Sequence, residues 1–360
     1  MPSCRERIGT NDGPRIDLSN ALSHAPTDAA MSAQDRTLDR YQELMQINAA
    51  GHVLRSAREV GLFDELAKGQ RTLDQLTEVL SLARESTELI LDCLVSMNVI
   101  ERYGDDHALA PVMRLLCTHD GDLGDSGWTH LAGKLQQQPT TQSEETYFDA
   151  IAATQWIHTP AAMQAAEMLD IGGSDNDGES EPSDAPKPLK ILDLGCGSAV
   201  WSCAMAYRDS QARVVAVDHE AALVAAEQTA RAIDLGGRFL PLIGHPETVE
   251  LPINEFDLAV IAQRLNSASD ESTARLLDRA ISSLAPGGRL VIIDLFRGPT
   301  KPRLSETIEA LRLHLGTQHG RMRTIKETED LLARSGLDAI QFTFIAASRI
   351  NLGMMVARKP

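Results

Sequence analysis

One stretch, residues 191–201, constrains the fold of this chain more than any other; it reads ILDLGCGSAVW. A short apolar run ends in Asp193, Gly195 and Gly197 follow, and helix-forming residues come next. This order is typical of a strand, a tight turn and a helix. Because glycine-rich turns of this kind let the backbone approach a nucleotide-like ligand closely, we expect a ligand site at this turn.

Beyond residue 188, apolar runs of strand length alternate with stretches of helical periodicity. Such alternation indicates a parallel sheet with helices on both faces, which binds ligands at the carboxyl ends of its strands. The sequence therefore predicts an α/β fold, with a seven-stranded, doubly wound, Rossmann-like domain over residues 189–360. The predicted strands are 189–194, 213–217, 238–243, 256–262, 288–295, 338–346 and 350–357, and the predicted helices are 199–207, 220–234, 270–284, 304–315 and 324–335.

Composition divides the first 188 residues into four predicted segments. Helical spacing from Leu38 to Leu62, with a stop at Gly61, predicts a long amphipathic helix. Two shorter helices, the first capped by Thr72, and a hairpin that turns at Gly104 together predict a winged helix. The four segments are a disordered tail (1–35), an all-helical winged-helix dimerisation domain (36–120), a helical connector (121–171) and a flexible acidic linker (172–188).

The acidic charge of the chain argues against nucleic acid and anionic membranes as partners. The formal net charge is −17, and between residues 37 and 120 there are 8 Lys or Arg against 14 Asp or Glu. A surface of this sign repels phosphate groups. We therefore expect the winged helix to form a homodimer contact, through the wide apolar face of the helix at 38–60, and not to bind DNA.

Location and metal content are also predicted from sequence. No apolar stretch reaches the roughly 20 residues that cross a bilayer, and the start of the chain lacks a secretory signal pattern. A cytoplasmic protein is therefore expected. The five cysteines are widely spaced, without the short spacing of a zinc site, so we expect no metal.

Two cofactor classes compete for the glycine turn. A dinucleotide site needs a third glycine three residues after the second, and this chain has Val200 there. Asp193, just before the first glycine, would repel a pyrophosphate but suits a ligand that carries an ammonium and a sulfonium. The next predicted strand ends in Asp218, where a carboxylate can accept hydrogen bonds from both ribose hydroxyls. The pattern favours S-adenosylmethionine.

These motifs resemble those of the class I S-adenosylmethionine-dependent methyltransferases, and among them the small-molecule O-methyltransferases with an N-terminal winged-helix dimerisation domain. The resemblance runs from about residue 38 to the C-terminus and rests on LDLGCGSA, VVAVD, FDLAVIAQRLNSASDE, LAPGGRLVIIDL, RTIKETEDLLARSGL and MMVARKP. It implies a homodimer, a small-molecule substrate and S-adenosylmethionine as cofactor. The residues expected at the cofactor are Asp193, Gly195, Gly197, Asp218, His219, His245, Ala262 and Gln263.

The histidine base of the resembled family is missing from this chain. The resemblance places that histidine just after the fourth strand, held by two acidic residues, and this chain has Asn266 there. One supporting acid corresponds to Asp294, and Met322 stands in place of the other. An asparagine side chain cannot act as a base near neutral pH. The candidate catalytic residues are therefore Asn266, Asp294 and His319.

Three explanations of the missing base stay open. An easily ionised substrate could react by proximity alone; His314 or His319 could serve as the base; or the reaction could be methylation at carbon or nitrogen, or a use of the cofactor without methyl transfer. The helical connector is expected to cover the substrate, and the candidate substrate contacts are Trp128, Met163, His314 and Met322.

The function expected from these features is methyl transfer from S-adenosylmethionine to a small aromatic or polycyclic metabolite, driven by proximity because Asn266 replaces the base. One alternative is a protein that binds the cofactor but has lost methyl transfer or uses the cofactor for other chemistry. Another alternative is a winged-helix transcriptional regulator with a ligand-sensing domain.

Overall fold

A computed structural model describes residues 33–111, 113–114, 125–136, 144–173, 187–298 and 301–360. The expected tail lies almost entirely outside these ranges, and so does most of the expected linker. The main sheet has the strand order β10-β11-β8-β7-β4-β5-β6, and a short strand, β9, pairs with the end of β8. Its strands are β4 (Lys190–Leu194), β5 (Arg213–Asp218), β6 (Phe239–Ile243), β7 (Phe256–Ala262), β8 (Leu284–Arg297), β9 (Arg323–Thr324), β10 (Asp338–Phe344) and β11 (Leu352–Arg358).

The order of the strands fixes where a ligand can bind. From β4 the chain moves outward through β5 to β6, returns to β7 on the other side of β4, and continues outward to β8. All four of these strand pairs are parallel, so their carboxyl ends lie at one edge of the sheet. A crevice forms at this edge where the chain reverses direction, beside β4, and this is the usual binding position of doubly wound sheets.

The N-terminal part of the chain is helical and carries a small three-stranded sheet of order β1-β3-β2. Gly61 adopts a φ of +79°, and this left-handed turn separates α1 from α2, as the sequence predicts for the stop at this glycine. Thr72 caps α3 through a reciprocal capping box with Gln75. The elements are α1 (Ala33–Glu59), α2 (Leu62–Ala67), β1 (Arg71–Thr72), α3 (Leu73–Leu80), α4 (Arg84–Ser96), β2 (Ile100–Tyr103) and β3 (Asp106–Leu109).

The remaining helices connect these two parts and flank the main sheet. Two apolar clusters pack on opposite faces of the sheet, one around Trp201 and Met205 and the other around Leu276 and Leu277. The helices are α5 (Asp125–Thr129), α6 (Leu131–Leu135), α7 (Glu144–Thr154), a 3₁₀ turn (Gln155–His158), α8 (Thr159–Met168), α9 (Val200–Arg208), α10 (Glu220–Ala232), α11 (Asp270–Ser283), α12 (Leu304–Gly316) and α13 (Ile325–Arg334).

The α/β fold and its seven principal strands confirm the prediction, with two differences. The last strand, β11, runs antiparallel to both β8 and β10, because β10 and β11 are joined as a hairpin. Helical alternation could not indicate this reversal, since no helix lies between the two strands. Strand β8 also begins at Leu284, earlier than predicted, because Leu284 pairs with Phe256 of β7.

None of the helices within the described ranges is both long enough and apolar enough to span a membrane.

Candidate functional site

The glycine turn after β4 is held against the end of β5. The backbone N–H groups of Gly195 and Cys196 donate to the carbonyl oxygen of Val217, at 2.9 and 3.2 Å. Gly195 and Gly197 have φ values of +72° and +54°, which glycine adopts without steric cost. The turn then leads through Ala199 into α9. The turn therefore lies at the point where the sequence predicts a ligand, and its backbone is buried beneath neighbouring side chains.

Asp218 lies at the end of β5 and faces the glycine turn. Its side chain is buried and accepts hydrogen bonds from the backbone N–H groups of Gly197 and His219, both at 2.9 Å. Burial alone would raise the pKa of Asp218, but the Arg264 guanidinium and these N–H donors outweigh burial and lower its pKa. Asp218 is therefore an ionised acceptor at neutral pH.

Asp193, on β4, is more deeply enclosed. The Ser202 hydroxyl donates to its Oδ2 at 2.5 Å, while its Oδ1 has no hydrogen-bond partner among the described residues. Burial raises the pKa of Asp193 to about 7. A buried acceptor without a partner, next to an ionised carboxylate, fits a ligand with a positively charged donor group.

Sequence reasoning missed Arg264, although it follows the end of β7 by only two residues. Its Nη2 donates to Asp218 Oδ1 at 3.1 Å, and its Cζ lies 3.9 Å from the centre of the Phe148 ring on α7. Its side chain passes directly over Gly195: a Cβ atom on that glycine would lie 2.4 Å from Arg264 Nε. A basic residue at the carboxyl end of a predicted strand was the signal available.

A chain of hydrogen bonds connects the glycine turn to a neighbouring pocket. The backbone N–H of Ser198 donates to Gln155 Oε1 at 2.9 Å, and Gln155 Nε2 donates to Gln263 Oε1 at 3.1 Å. Gln263 Nε2 lies 3.3 Å from His158 Nε2. Of these residues, sequence reasoning identified only Gln263. The other two side chains reach the site from the 3₁₀ turn, which no local pattern places near β4.

The neighbouring pocket has about 570 Å³ of free space, part of it open to solvent, and is referred to below as the substrate pocket. Burial raises the pKa of Asp294 to about 6 and lowers that of His158 to about 4. Burial also raises the pKa of Glu309. The pocket therefore combines apolar walls with several titratable groups. Its lining consists of Tyr147, Ile151, Thr154, Gln155, Ile157, His158, Gln263, Asp294, Leu295, Glu309, Arg312, Leu313 and Ile350.

Asn266 is buried beside Asp294, and its side-chain amide bonds two backbone groups. Its Nδ2 donates to the carbonyl oxygen of Leu295 at 2.6 Å, and its Oδ1 accepts from the backbone N–H of Arg323 at 3.1 Å. The backbone N–H of Asn266 in turn donates to Asp294 Oδ2 at 3.1 Å. The asparagine thus joins the ends of β7, β8 and β9.

A second pocket, with about 520 Å³ of free space that is partly open to solvent, has Arg264 in its lining. His245 and His319 both line it, together with Phe148 and Ser267. The expected cofactor contact His245 and the expected catalytic residue His319 therefore share one cavity. The two pockets share no lining residue, and Asp294 lines only the substrate pocket.

Other residues expected from the sequence are placed as follows. His219 bonds both Asp218 and Asp149 at 2.8 Å. Burial alone would lower the pKa of His219, but these carboxylates raise it.

Ala262 is buried in the core at the end of β7. Among the described residues that line the two pockets, the four expected substrate contacts are not found; these are Trp128 on α5, Met163 on α8, His314 on α12 and Met322 beside Arg323.

Comparison with known proteins identifies the domain around the glycine turn. Residues 191–288 match the model of a methyltransferase domain. An N,N-dimethyltransferase named OxyT, from Streptomyces rimosus, is 24% identical over 340 residues, which cover 89% of this chain and 96% of OxyT.

Solved structures share the fold over almost the whole chain. N,N-8-amino-8-demethyl-D-riboflavin dimethyltransferase (RosA) from Streptomyces davawensis superposes with a TM-score of 0.66 at 21% identity, covering 92% of this chain and 100% of RosA. Human N-acetylserotonin methyltransferase in complex with S-adenosylmethionine superposes with a TM-score of 0.65 at 19% identity, covering 92% of this chain and 99% of the human one.

These matches agree with the crevice geometry. The chemistry of the acidic pair Asp193 and Asp218, beside the glycine turn, suits the ammonium and the ribose of S-adenosylmethionine. Among the described residues, no group of three or more His, Cys, Asp and Glu side chains could hold a metal ion. Residues 191–288 form a methyltransferase domain, and the chain shares its fold with solved methyltransferases, one of them in complex with S-adenosylmethionine.

Proposed function

We propose that the protein transfers a methyl group from S-adenosylmethionine to an amino nitrogen of a small aromatic or polycyclic metabolite. The observation that carries this proposal is the state of Asn266, whose amide donates to Leu295 and accepts from Arg323. A side chain committed to two backbone partners leaves no general base at the position where the resembled family has histidine. An acceptor that reacts without prior loss of a proton suits this site.

A neutral amine meets that requirement. Bound S-adenosylmethionine supplies a methyl group bonded to a positively charged sulfur. The nitrogen lone pair of an aromatic amine would attack that methyl carbon directly, the carbon–sulfur bond would break with its electron pair left on sulfur, and the proton would leave the nitrogen afterwards. The names of OxyT and RosA, both N,N-dimethyltransferases, support an amine acceptor, and that of RosA supports a polycyclic one.

Asp294 is the group that we assign to receive the released proton. It lines the substrate pocket, and burial raises its pKa to about 6, so it is mostly ionised at neutral pH and can still take up a proton. The pKa of His158, lowered to about 4 by burial, makes that imidazole a weaker acceptor. His319 lines the other pocket and is less suitable by position.

The remaining contribution of the chain is alignment. The bonds from Ser198 to Gln155 and from Gln155 to Gln263 tie the glycine turn to the substrate pocket. Holding the cofactor and the acceptor in a reactive geometry can recover on the order of 7 kcal/mol of the barrier. Proximity therefore replaces the missing histidine in this account.

The experiment compares two ring systems that differ only in the acceptor atom. The protein is incubated with cofactor labelled in the methyl group and with matched aromatic amines and phenols, and products are identified by mass spectrometry. We expect label on the amines.

The variant Asn266→Ala should reduce turnover by less than about a thousandfold, since it removes no base. Its stability should fall by about 1–3 kcal/mol, because two buried backbone groups lose their partners. Label confined to phenols, or a greater loss in Asn266→Ala, contradicts the proposal.

We also propose that the protein is a homodimer assembled through α1, and that residues 36–120 and 189–360 are its two main domains. In the single chain, five apolar side chains in the first half of α1 are half exposed or more; they are Leu38, Tyr41, Leu44, Met45 and Ile47. An exposed apolar surface of this length supports burial against another molecule. In a symmetric dimer, the same α1 face of each copy would be buried against the other.

A further inference from the structure

Arg264 occupies the crevice in which the cofactor must bind. Its Nε and Cγ lie 2.4 and 2.8 Å from the position of a Cβ on Gly195, so the side chain packs directly on the glycine turn. Only 16% of this side chain is exposed. The turn that should contact the cofactor is therefore covered by a cationic side chain of the protein.

Two contacts from different elements hold Arg264 there. Its Nη2 bonds Asp218 Oδ1 at 3.1 Å, and its guanidinium stacks 3.9 Å from the centre of the Phe148 ring. Asp218 is buried, so its pairing with Arg264 is screened little by water. The pairing also contributes to lowering the pKa of Asp218.

The same carboxylate cannot fully serve Arg264 and a ribose at one time. Asp218 Oδ1 already accepts from Arg264 and from the backbone and ring nitrogens of His219. The cofactor is itself positively charged at sulfur. A guanidinium on the glycine turn therefore repels the cofactor and also occupies space that the cofactor needs. We propose that Arg264 is a displaceable counterion of Asp218, which must leave the glycine turn before the cofactor binds and which thereby limits cofactor affinity.

Helix α7 connects Arg264 to the substrate pocket, so a displacement of Arg264 would also affect that pocket. Phe148 and Asp149 are adjacent on this helix; the first stacks on Arg264 and the second bonds His219 Nε2 at 2.8 Å. The same helix contributes Tyr147 and Ile151 to the substrate pocket. Loss of the stacking contact would therefore affect a helix that both sites share.

The test is the dissociation constant of S-adenosylmethionine measured by calorimetry on the full chain. Arg264→Met keeps the length of the side chain but removes the charge, and we expect it to bind the cofactor about tenfold more tightly, because no buried ion pair has to be broken. Arg264→Lys keeps the competing charge and should stay within about threefold of the wild type. Arg231→Met, at an exposed arginine on α10, is the matched control and should bind as the wild type does.

Arg264→Met leaves Asp218 without its cation, so a second variant covers the case in which it fails to fold. Phe148→Leu removes the stacking surface and keeps the ion pair; we expect about threefold tighter binding. Weaker or unchanged binding in a folded Arg264→Met protein, or in Phe148→Leu if that protein alone folds, would overturn the proposal. These binding measurements do not depend on the acceptor, so they can fail while the proposed N-methylation stands, and the reverse also holds.

Discussion

Asp193 and Asp218 end neighbouring strands of one sheet, yet their pKa values move in opposite directions. Asp218 meets a guanidinium and two backbone N–H donors, which lower its pKa against the effect of burial. Asp193 receives one hydroxyl hydrogen bond, and burial raises its pKa to about 7. The sequence predicts both acids at the strand ends. It does not predict the opposite pKa shifts, because tertiary packing determines that Arg264 and Ser202 are their partners.

The raised pKa of Asp193 makes cofactor binding depend on pH. A ligand with an ammonium group favours the ionised carboxylate, so the pKa of Asp193 falls on binding and affinity increases as pH rises through about 7. We expect the affinity for S-adenosylhomocysteine to increase by about tenfold between about pH 6 and pH 8. Calorimetry at several pH values measures this, and Asp193→Asn should give a nearly flat profile. An equally steep profile in that variant would show that another group titrates.

Among the elements, strands and sheet helices follow from sequence far better than side-chain placement in the site does. Strand β7 is observed at its predicted bounds because an apolar run of this length, flanked by polar residues, packs on both faces. Gln155 and His158 escaped prediction because they reach the pocket from a 3₁₀ turn more than 100 residues away in sequence from Gln263. Contacts of that separation leave no periodic signal in the chain.

Helix α1 carries a prediction about assembly. If its apolar face is the dimer contact, Leu44→Glu should place charges in that contact and produce monomers, while glutamate preserves helix propensity. Analytical ultracentrifugation should give twice the 39.1 kDa chain mass for the wild type and the single mass for the variant. Val224→Glu, at an exposed position on α10, is the control and should remain dimeric. A monomeric wild type would refute the proposed role of α1.

At the level of the whole molecule, the sheet and the helices that flank it line neighbouring parts of the candidate site. The sheet supplies the glycine turn and the acids, while α7, the 3₁₀ turn and α12 enclose the pocket beside them. The sequence predicts the first set because it lies on regular strand ends. The second set depends on how the helical part packs on the sheet, which explains why expected contacts such as Trp128 and Met163 fall outside the pocket linings while Tyr147 and Arg312 are within them.

Binding of S-adenosylmethionine through Asp218 is the property on which the site, the reaction and the role of Arg264 all depend. Calorimetry on the wild type, Asp218→Ala and the exposed control Asp278→Ala tests it directly. We expect Asp218→Ala to lose about 1–3 kcal/mol of binding free energy through loss of charge-assisted hydrogen bonds, and the control to bind as the wild type does. An unchanged dissociation constant in Asp218→Ala, or a wild type that binds NAD in preference to S-adenosylmethionine, would contradict the account.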